Sequence, residues 1–74
     1  MTDEAFMEAK RVPIRELIKT LSPKSGTPPP FVQEAYKALS REQQHDVVRY
    51  LRYKIRHAQK MNKQEQNVAD ILDV

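Results

Sequence analysis

The sequence predicts an all-α fold: a small helical domain of two short helices and one long basic helix, with flexible N- and C-terminal segments. Apolar side chains recur at positions i, i+3, i+4 and i+7 in two stretches, which is the repeat of an amphipathic helix. In a third stretch, residues 45–60, aliphatic residues lie on one side of a helical wheel and cations on the other. At 74 residues, the chain has room for one domain.

The first two helices are separated by a proline-rich segment. Pro13 suits the first turn of a helix and pushes the residue before it towards extended geometry, so the first helix is predicted to begin there. It ends at Ser22, and residues 22–30 (SPKSGTPPP) hold four of the five prolines and the only glycine. This segment predicts a stiff connector, with a proline-rich ligand for an SH3-type domain as the alternative. The second helix begins within residues 29–31.

The third helix is predicted to run from Arg41 to about Asn62. Ser40 and Gln43 have the spacing of a capping box, a serine followed three residues later by a glutamine. At about 100° per residue, the apolar positions of this helix form one face. Together the apolar faces of the three helices give the predicted core: Ile14, Leu17, Ile18, Leu21, Val32, Ala35, Tyr36, Leu39, Val47, Val48, Leu51, Ile55 and Ala58.

Both ends of the chain are predicted to lie outside the helical domain, which spans residues 13–62. In the stretch DEAFMEAKR, Phe6 and Met7 are the only large apolar residues. We therefore expect residues 1–12 to be flexible or to become ordered on a partner, with a short frayed helix that starts at Thr2-Asp3-Glu4 as the alternative. Residues 63–74 carry one basic and three acidic side chains and are predicted to form an acidic, mobile tail. One or two further helical turns within VADILDV are the alternative.

No motif of a catalytic, cofactor or metal site occurs in the chain. It has no cysteine, and it lacks a glycine-rich phosphate loop, a nucleophile elbow and a zinc-protease motif. His45 and His57 lie on different helical turns and cannot share one metal ion. We therefore expect neither an enzyme nor a bound cofactor or metal.

The chain also shows no sign of a membrane or secretory segment. No apolar run approaches the roughly 20 residues of a membrane span, and the start MTDEAFMEAK is too polar for a signal peptide. We expect a cytoplasmic monomer with no membrane partner.

The polar face of the third helix is the main candidate for function. Residues 31–62 carry seven basic and three acidic side chains, a balance of +4, which favours an anionic partner surface. Arg49, Arg52, Arg56 and Lys60 gather opposite the core face, and Tyr53 lies beside them with no evident core role. Exposed arginine and tyrosine are typical of contacts with protein and nucleic acid alike. The plain alternative is a solvated face whose long side chains cover the core.

A DNA-reading helix-turn-helix is a second interpretation of the same residues. A short helix followed by a tight junction and a basic helix fits that motif in outline. However, the junction at Leu39–Ser40 lacks the glycine often found in the turn, and Asp46 near the start of the helix would repel phosphate.

Two stretches, MTDEAFMEAKRVPIREL and LSREQQHDVVRYLRYKIRH, are similar to the small phage-encoded inhibitors and antiterminators of bacterial RNA polymerase, of the Xanthomonas phage type. The resemblance implies a chain that docks on the β and β′ subunits in the host cytoplasm. It would disfavour engagement of the sigma factor, block initiation at promoters and suppress termination. Nucleic acid would be a secondary contact.

On this hypothesis, two surfaces carry the partner contacts. One lies in the N-terminal segment and the other on the basic helix; their residues are Phe6, Met7, Lys10 and Arg11, and Arg49, Arg52, Tyr53 and Arg56. A small DNA-binding regulator and a purely structural helical module remain the alternatives.

Overall fold

The computed structural model describes residues 1–74, which form four helices and no strand. Their order is α1 (Asp3–Leu21), α2 (Pro29–Lys37), α3 (Arg41–Arg56) and α4 (Lys63–Leu72). The first and last helices each pack against all three others. The prediction of an all-α fold is therefore confirmed, but the arrangement of two short helices and one long helix between flexible ends is not what the structure shows.

The segment predicted to be flexible at the N-terminus belongs to α1, the longest helix. Thr2 caps it, because its hydroxyl accepts a hydrogen bond from the Ala5 N–H at 3.1 Å. Phe6 and Met7 are each only 3% exposed. Met7 precedes Ile14 by two turns, so the apolar stripe continues through Pro13, which lies inside the helix. The predicted boundary at Pro13 was wrong because burial of this stripe outweighs the local effect of one proline.

The tail predicted to be mobile, residues 63–74, instead contains α4. Asn62 and Glu65 form a capping box: the Asn62 side chain accepts from the Glu65 N–H at 2.8 Å, and the Glu65 carboxylate accepts from the Asn62 N–H at 2.9 Å. Val68 and Ala69 are buried on the inner side of this helix. The helix ends at Asp73, whose φ of 58° is left-handed.

Helix α3 is shorter than predicted and ends at Arg56. Ala58 has a left-handed φ of 51°. The N–H groups of Ala58 and Gln59 donate to the carbonyls of Ile55 and Lys54 at 3.1 and 2.8 Å, the two bonds of a Schellman motif. Because the chain turns here, Ile55 is 45% exposed and Ala58 is exposed, and neither belongs to the core as predicted.

The proline-rich connector is a folded turn rather than a stiff extended spacer. Thr27 is buried, and its hydroxyl donates to the Lys24 carbonyl at 2.7 Å. The Asn67 side chain on α4 donates to the Ser22 hydroxyl and to the Thr27 carbonyl at 2.9 and 3.1 Å. The prolines at 29 and 30 open α2, so they do not form the extended helix that an SH3-type domain would read.

Eleven buried residues form the core. The core prediction was right for six of them, which are fully buried: Ile14, Ile18, Leu21, Val32, Val47 and Leu51. Four more predicted residues pack against this cluster and are partly buried: Leu17, Ala35, Tyr36 and Leu39. Val48 is only partly buried as well. The prediction missed five core residues: Phe6, Met7, Tyr50, Val68 and Ala69.

Candidate functional site

Two of the four residues of the predicted N-terminal contact surface lie inside the folded molecule. Phe6 and Met7 are in the core, and the Lys10 ammonium pairs with the Asp46 carboxylate on α3 at 3.6 Å. Arg11 is exposed and forms no ion pair. In this fold, therefore, only Arg11 of the four predicted residues presents an unpaired charge to solvent.

Arg49, predicted as a partner contact, joins α3 to the start of α1. Its Nε and Nη2 atoms donate to Asp3 Oδ1 at 3.1 and 2.9 Å, and Nη2 also donates to the Met1 carbonyl at 3.3 Å. The guanidinium carbon lies 4.2 Å from the centroid of the Phe6 ring, within cation–π range. The charge of Arg49 is thus compensated by Asp3 of the same chain.

The remaining predicted residues, Arg52, Tyr53 and Arg56, form what we call the α3 basic surface. Both arginines are exposed and neither has a carboxylate partner. Tyr53 is half-buried, and its ring lies 4.2 Å from that of His57, tilted by 34°. These three residues border an open cavity of about 210 Å³, which His45, Val48, Arg49 and Asp3 complete.

A second basic feature lies beside α1 and was missed by the sequence analysis. An open cavity of about 230 Å³ has four cations in its wall, Arg11, Arg15, Lys54 and Lys60, which we call the basic cleft. Met7, Tyr50 and Gln59 complete the lining. Two of these cations come from α1, one from α3 and one from the α3–α4 loop. Lys60 reaches the cleft because α3 ends at Arg56 and the chain then turns back towards α1. The spacing of residues along the sequence does not contain this turn, so it gave no signal for the cleft.

Glu65, 2% exposed, is the buried acid next to the basic cleft. Its carboxylate accepts hydrogen bonds from the Tyr50 hydroxyl, from Lys54 Nζ at 3.0 Å and from the Asn62 N–H at 2.9 Å. Burial alone would raise the pKa of Glu65, but the hydrogen bonds from Tyr50, Asn62 and Lys54 outweigh burial and hold the pKa below its ordinary value. Glu65 is therefore an anion at neutral pH.

Tyr50 shows the opposite shift. Burial, followed by its hydrogen bond and charge interaction with Glu65, raises the pKa of the Tyr50 hydroxyl. The positive charges of Arg15 and Arg11 act in the other direction and lower this pKa. Tyr50 thus keeps its proton and donates a hydrogen bond to Glu65. The two arginines lie near enough for their charge to act on the Tyr50 hydroxyl.

Two glutamines at the start of α3 hydrogen-bond to the chain's own backbone. The Gln43 side chain completes the capping box by accepting from the Ser40 N–H at 3.0 Å. The Gln44 amide donates to the Tyr36 carbonyl at 2.9 Å. Both glutamines are thus occupied by bonds to the chain's own backbone. In addition, α2 packs mainly on α1 and α4 rather than on α3, the helix with which it would pair in a helix-turn-helix motif.

No protein family, curated protein or solved structure matches the chain. The structure holds no group of three or more His, Asp or Glu side chains that could bind a metal ion. None of the four helices combines the length and the apolar content that crossing a membrane requires. The candidate binding features are therefore the α3 basic surface and the basic cleft, both of which consist mainly of charged and aromatic side chains.

Proposed function

We propose that this chain is a phage-type transcription regulator that binds bacterial RNA polymerase in the host cytoplasm, at the β and β′ subunits. It inhibits promoter-dependent initiation by disfavouring engagement of the sigma factor, and it acts as an antiterminator. The partner is suggested by the resemblance of residues 1–17 and 39–57 to that family. The single structural observation in favour of binding is the α3 basic surface, whose two arginines have no partner within the chain.

The chemistry of this surface suits a protein interface. Arginine and tyrosine are enriched among the residues that contribute most to binding. Arg52 and Arg56 are four residues apart on one helix, with Tyr53 between them in sequence, so their guanidinium groups extend from the same side of α3. A guanidinium group can bind a carboxylate in a bidentate pair. The complementary partner surface therefore has acidic groups for the two arginines beside an apolar pocket for the Tyr53 ring.

The mechanism needs no covalent step and therefore no catalytic residue. A ligand that binds more tightly to the polymerase form with low sigma affinity lowers the affinity of polymerase for sigma. Bound sigma lowers the affinity for the ligand by the same factor, because coupling between two binding sites is reciprocal. Overlap of the chain with the sigma surface would inhibit initiation in the same way.

The proposal assigns different roles to the eight predicted residues. Arg11 and the α3 basic surface contact the partner. The other four maintain the fold that presents them: Phe6 and Met7 in the core, and Lys10 and Arg49 through their ion pairs with Asp46 and Asp3.

The test is binding of the purified chain to bacterial core RNA polymerase, measured together with sigma-dependent transcription. We expect Arg52→Ala/Arg56→Ala to weaken binding by about tenfold or more and to relieve inhibition in parallel. The control is Lys24→Ala/Lys63→Ala, which removes the same charge from exposed, unpaired positions and should bind like the wild type. Unchanged binding by the arginine variant, or no binding of the wild-type chain, would contradict the proposal.

A DNA-binding regulator is the second candidate, favoured by the same two unpaired arginines. It predicts binding to duplex DNA that weakens steeply with salt, because phosphate contacts release counterions. A gel-shift titration at two salt concentrations separates the candidates. The internal hydrogen bonds of Gln43 and Gln44 count against sequence-specific reading by α3.

A further inference from the structure

We propose that the basic cleft (Arg11, Arg15, Lys54 and Lys60) is a binding site for a phosphoryl group. The site lies between α1, α3 and the loop that joins α3 to α4. It is separate from the α3 basic surface, shares only Arg11 with the proposed partner contacts, and does not depend on the proposed function.

The first argument is the charge of the cleft. Lys54 pairs with Glu65, but Arg11, Arg15 and Lys60 have no carboxylate within ion-pair distance. Arg11 and Arg15 are also four residues apart on α1, where like charges repel each other. An anion bound between them would relieve this repulsion as well as form new ion pairs.

The acids nearest the cleft do not neutralise it. Glu65 is already bound by Tyr50, Lys54 and the Asn62 N–H. Glu16, next to Arg15 in sequence, pairs with Lys19 at 3.5 Å. Glu8 borders the neighbouring cavity together with Arg11 but forms no ion pair with it. The cleft therefore keeps three unpaired positive charges.

The second argument is size. Pockets that bury drug-sized ligands measure roughly 300–1,000 Å³, whereas the cleft measures about 230 Å³. It suits one or two phosphoryl groups rather than a whole nucleotide. Three unpaired charges are better matched by a doubly charged phosphoryl group or a pyrophosphate than by one carboxylate, and guanidinium forks bind phosphate oxygens bidentately.

The third argument is preorganisation. Lys54 is held by Glu65 at 3.0 Å, and the backbone positions of Arg11 and Arg15 are fixed one turn apart on α1. Lys54 Nζ lies 5.4 Å from the centroid of the Tyr50 ring, which forms part of the cleft wall. A site whose donors are already oriented loses less entropy when it binds.

Two sources could supply the phosphoryl group: a free phosphate compound or the phosphodiester backbone of a single nucleic-acid strand. Acid side chains Glu4 and Glu8 border the cavity between the cleft and Tyr53. These carboxylates would repel a second phosphate there, so a strand would contact the cleft with a short segment only.

The experiment is a calorimetric and NMR titration of the full chain with sodium pyrophosphate, and separately with a ten-nucleotide oligothymidine, at constant ionic strength. We expect saturable pyrophosphate binding, with backbone shifts concentrated at the cleft residues. Arg11→Gln/Arg15→Gln should weaken it by about tenfold or more, because it removes two charge-assisted contacts. Arg52→Gln/Arg56→Gln, with the same loss of charge on the α3 basic surface, should bind within about twofold of the wild type.

The two ligands distinguish the sources. Pyrophosphate binding without tighter oligonucleotide binding supports a free phosphate compound. Tighter oligonucleotide binding that Arg11→Gln/Arg15→Gln also abolishes supports a phosphodiester. An equal loss in both double variants would show a general charge effect and overturn the site, as would the absence of saturable binding by either ligand. Far-ultraviolet circular dichroism checks that each variant is folded.

Discussion

Glu65 joins the second half of α3 to the start of α4. Through its carboxylate it holds Tyr50 and Lys54 on α3 and the backbone of Asn62 at the start of α4. It also completes the α4 capping box. Because the residue is buried, loss of its charge would leave the Lys54 ammonium without its partner in a poorly solvated place.

Glu65→Gln should therefore destabilise the fold by about 1–3 kcal/mol at neutral pH. Because folding lowers the pKa of Glu65, its ionised form contributes stability that is fully present above the unfolded-state pKa of about 4.3. This contribution is lost as the pH falls through the lower folded-state pKa. Denaturant unfolding at neutral pH and at about pH 3 measures both effects, and the variant should lose less stability in acid than the wild type.

The matched control is Glu34→Gln. Glu34 pairs with Lys37 at 3.7 Å, and its side chain is 78% exposed, so removal of its charge should change little. Equal effects of the two substitutions at neutral pH would mean that the buried cluster adds nothing beyond an ordinary surface ion pair.

Single-residue roles were only partly predictable from sequence. Arg49 and Arg52 look alike on a helical wheel, yet one binds Asp3 and lies over Phe6 while the other is free. The difference comes from the position of α1, a tertiary fact that wheel geometry does not contain. Tyr50 is absent from the predicted core, yet it is 1% exposed, because its hydroxyl donates a hydrogen bond to the buried Glu65 on α4.

Helix α1 continues through Pro13, whereas the local sequence predicts that the helix begins there. Proline has no N–H to donate to the carbonyl four residues earlier, and its ring crowds that carbonyl. Pro13 is exposed, so its side chain adds little packing to offset this cost.

Pro13→Ala should stabilise the fold, by up to about 3 kcal/mol if the backbone at Ala9 regains its hydrogen bond. The measurement is the midpoint of thermal or denaturant unfolding. Thr20→Ala, at another exposed position of α1, controls for ordinary helix propensity, which is worth less than about 0.7 kcal/mol. A gain no larger than that of Thr20→Ala would show that α1 already accommodates the proline without strain.

The element predictions succeeded where a local signal was complete and failed where stability comes from a distant partner. The capping box at Ser40 and Gln43 was read correctly from spacing, and both of its hydrogen bonds are present. For α4, the apolar content of Val68, Ile71 and Leu72 was visible in the sequence. The surface on which α4 packs was not visible there, because that surface is formed by the three preceding helices.

At the scale of the whole molecule, the charge distribution separates structural from free cations. Five of the thirteen Lys and Arg side chains form ion pairs. Five of the remaining eight lie in the basic cleft or the α3 basic surface: Arg11, Arg15, Lys60, Arg52 and Arg56. Net charge and helix periodicity predicted a basic face on α3. They could not predict that folding would divide the free cations between two separate places.

Stability of the whole molecule should depend on α4, although it contributes only ten residues. A core in a chain below about 80 residues rarely supplies more than 3–5 kcal/mol. Removal of α4 would take away three buried residues, Glu65, Val68 and Ala69, together with the helix on which α1, α2 and α3 all pack. It would also remove Asn67, which holds the connector at Ser22 and Thr27.

A chain ending at Asn62 should therefore lose its cooperative thermal transition, followed by circular dichroism at 222 nm, the wavelength of the helical signal. The control keeps the full length and carries Gln66→Ala/Asp70→Ala, at two exposed residues whose side chains hydrogen-bond only to each other, at 2.8 Å. Because these two side chains face solvent, the control should unfold cooperatively at a temperature close to that of the wild type. If the shortened chain kept a cooperative transition at a similar temperature, residues 63–74 would be an accessory tail, as their acidic composition first indicated, and the core would close without them.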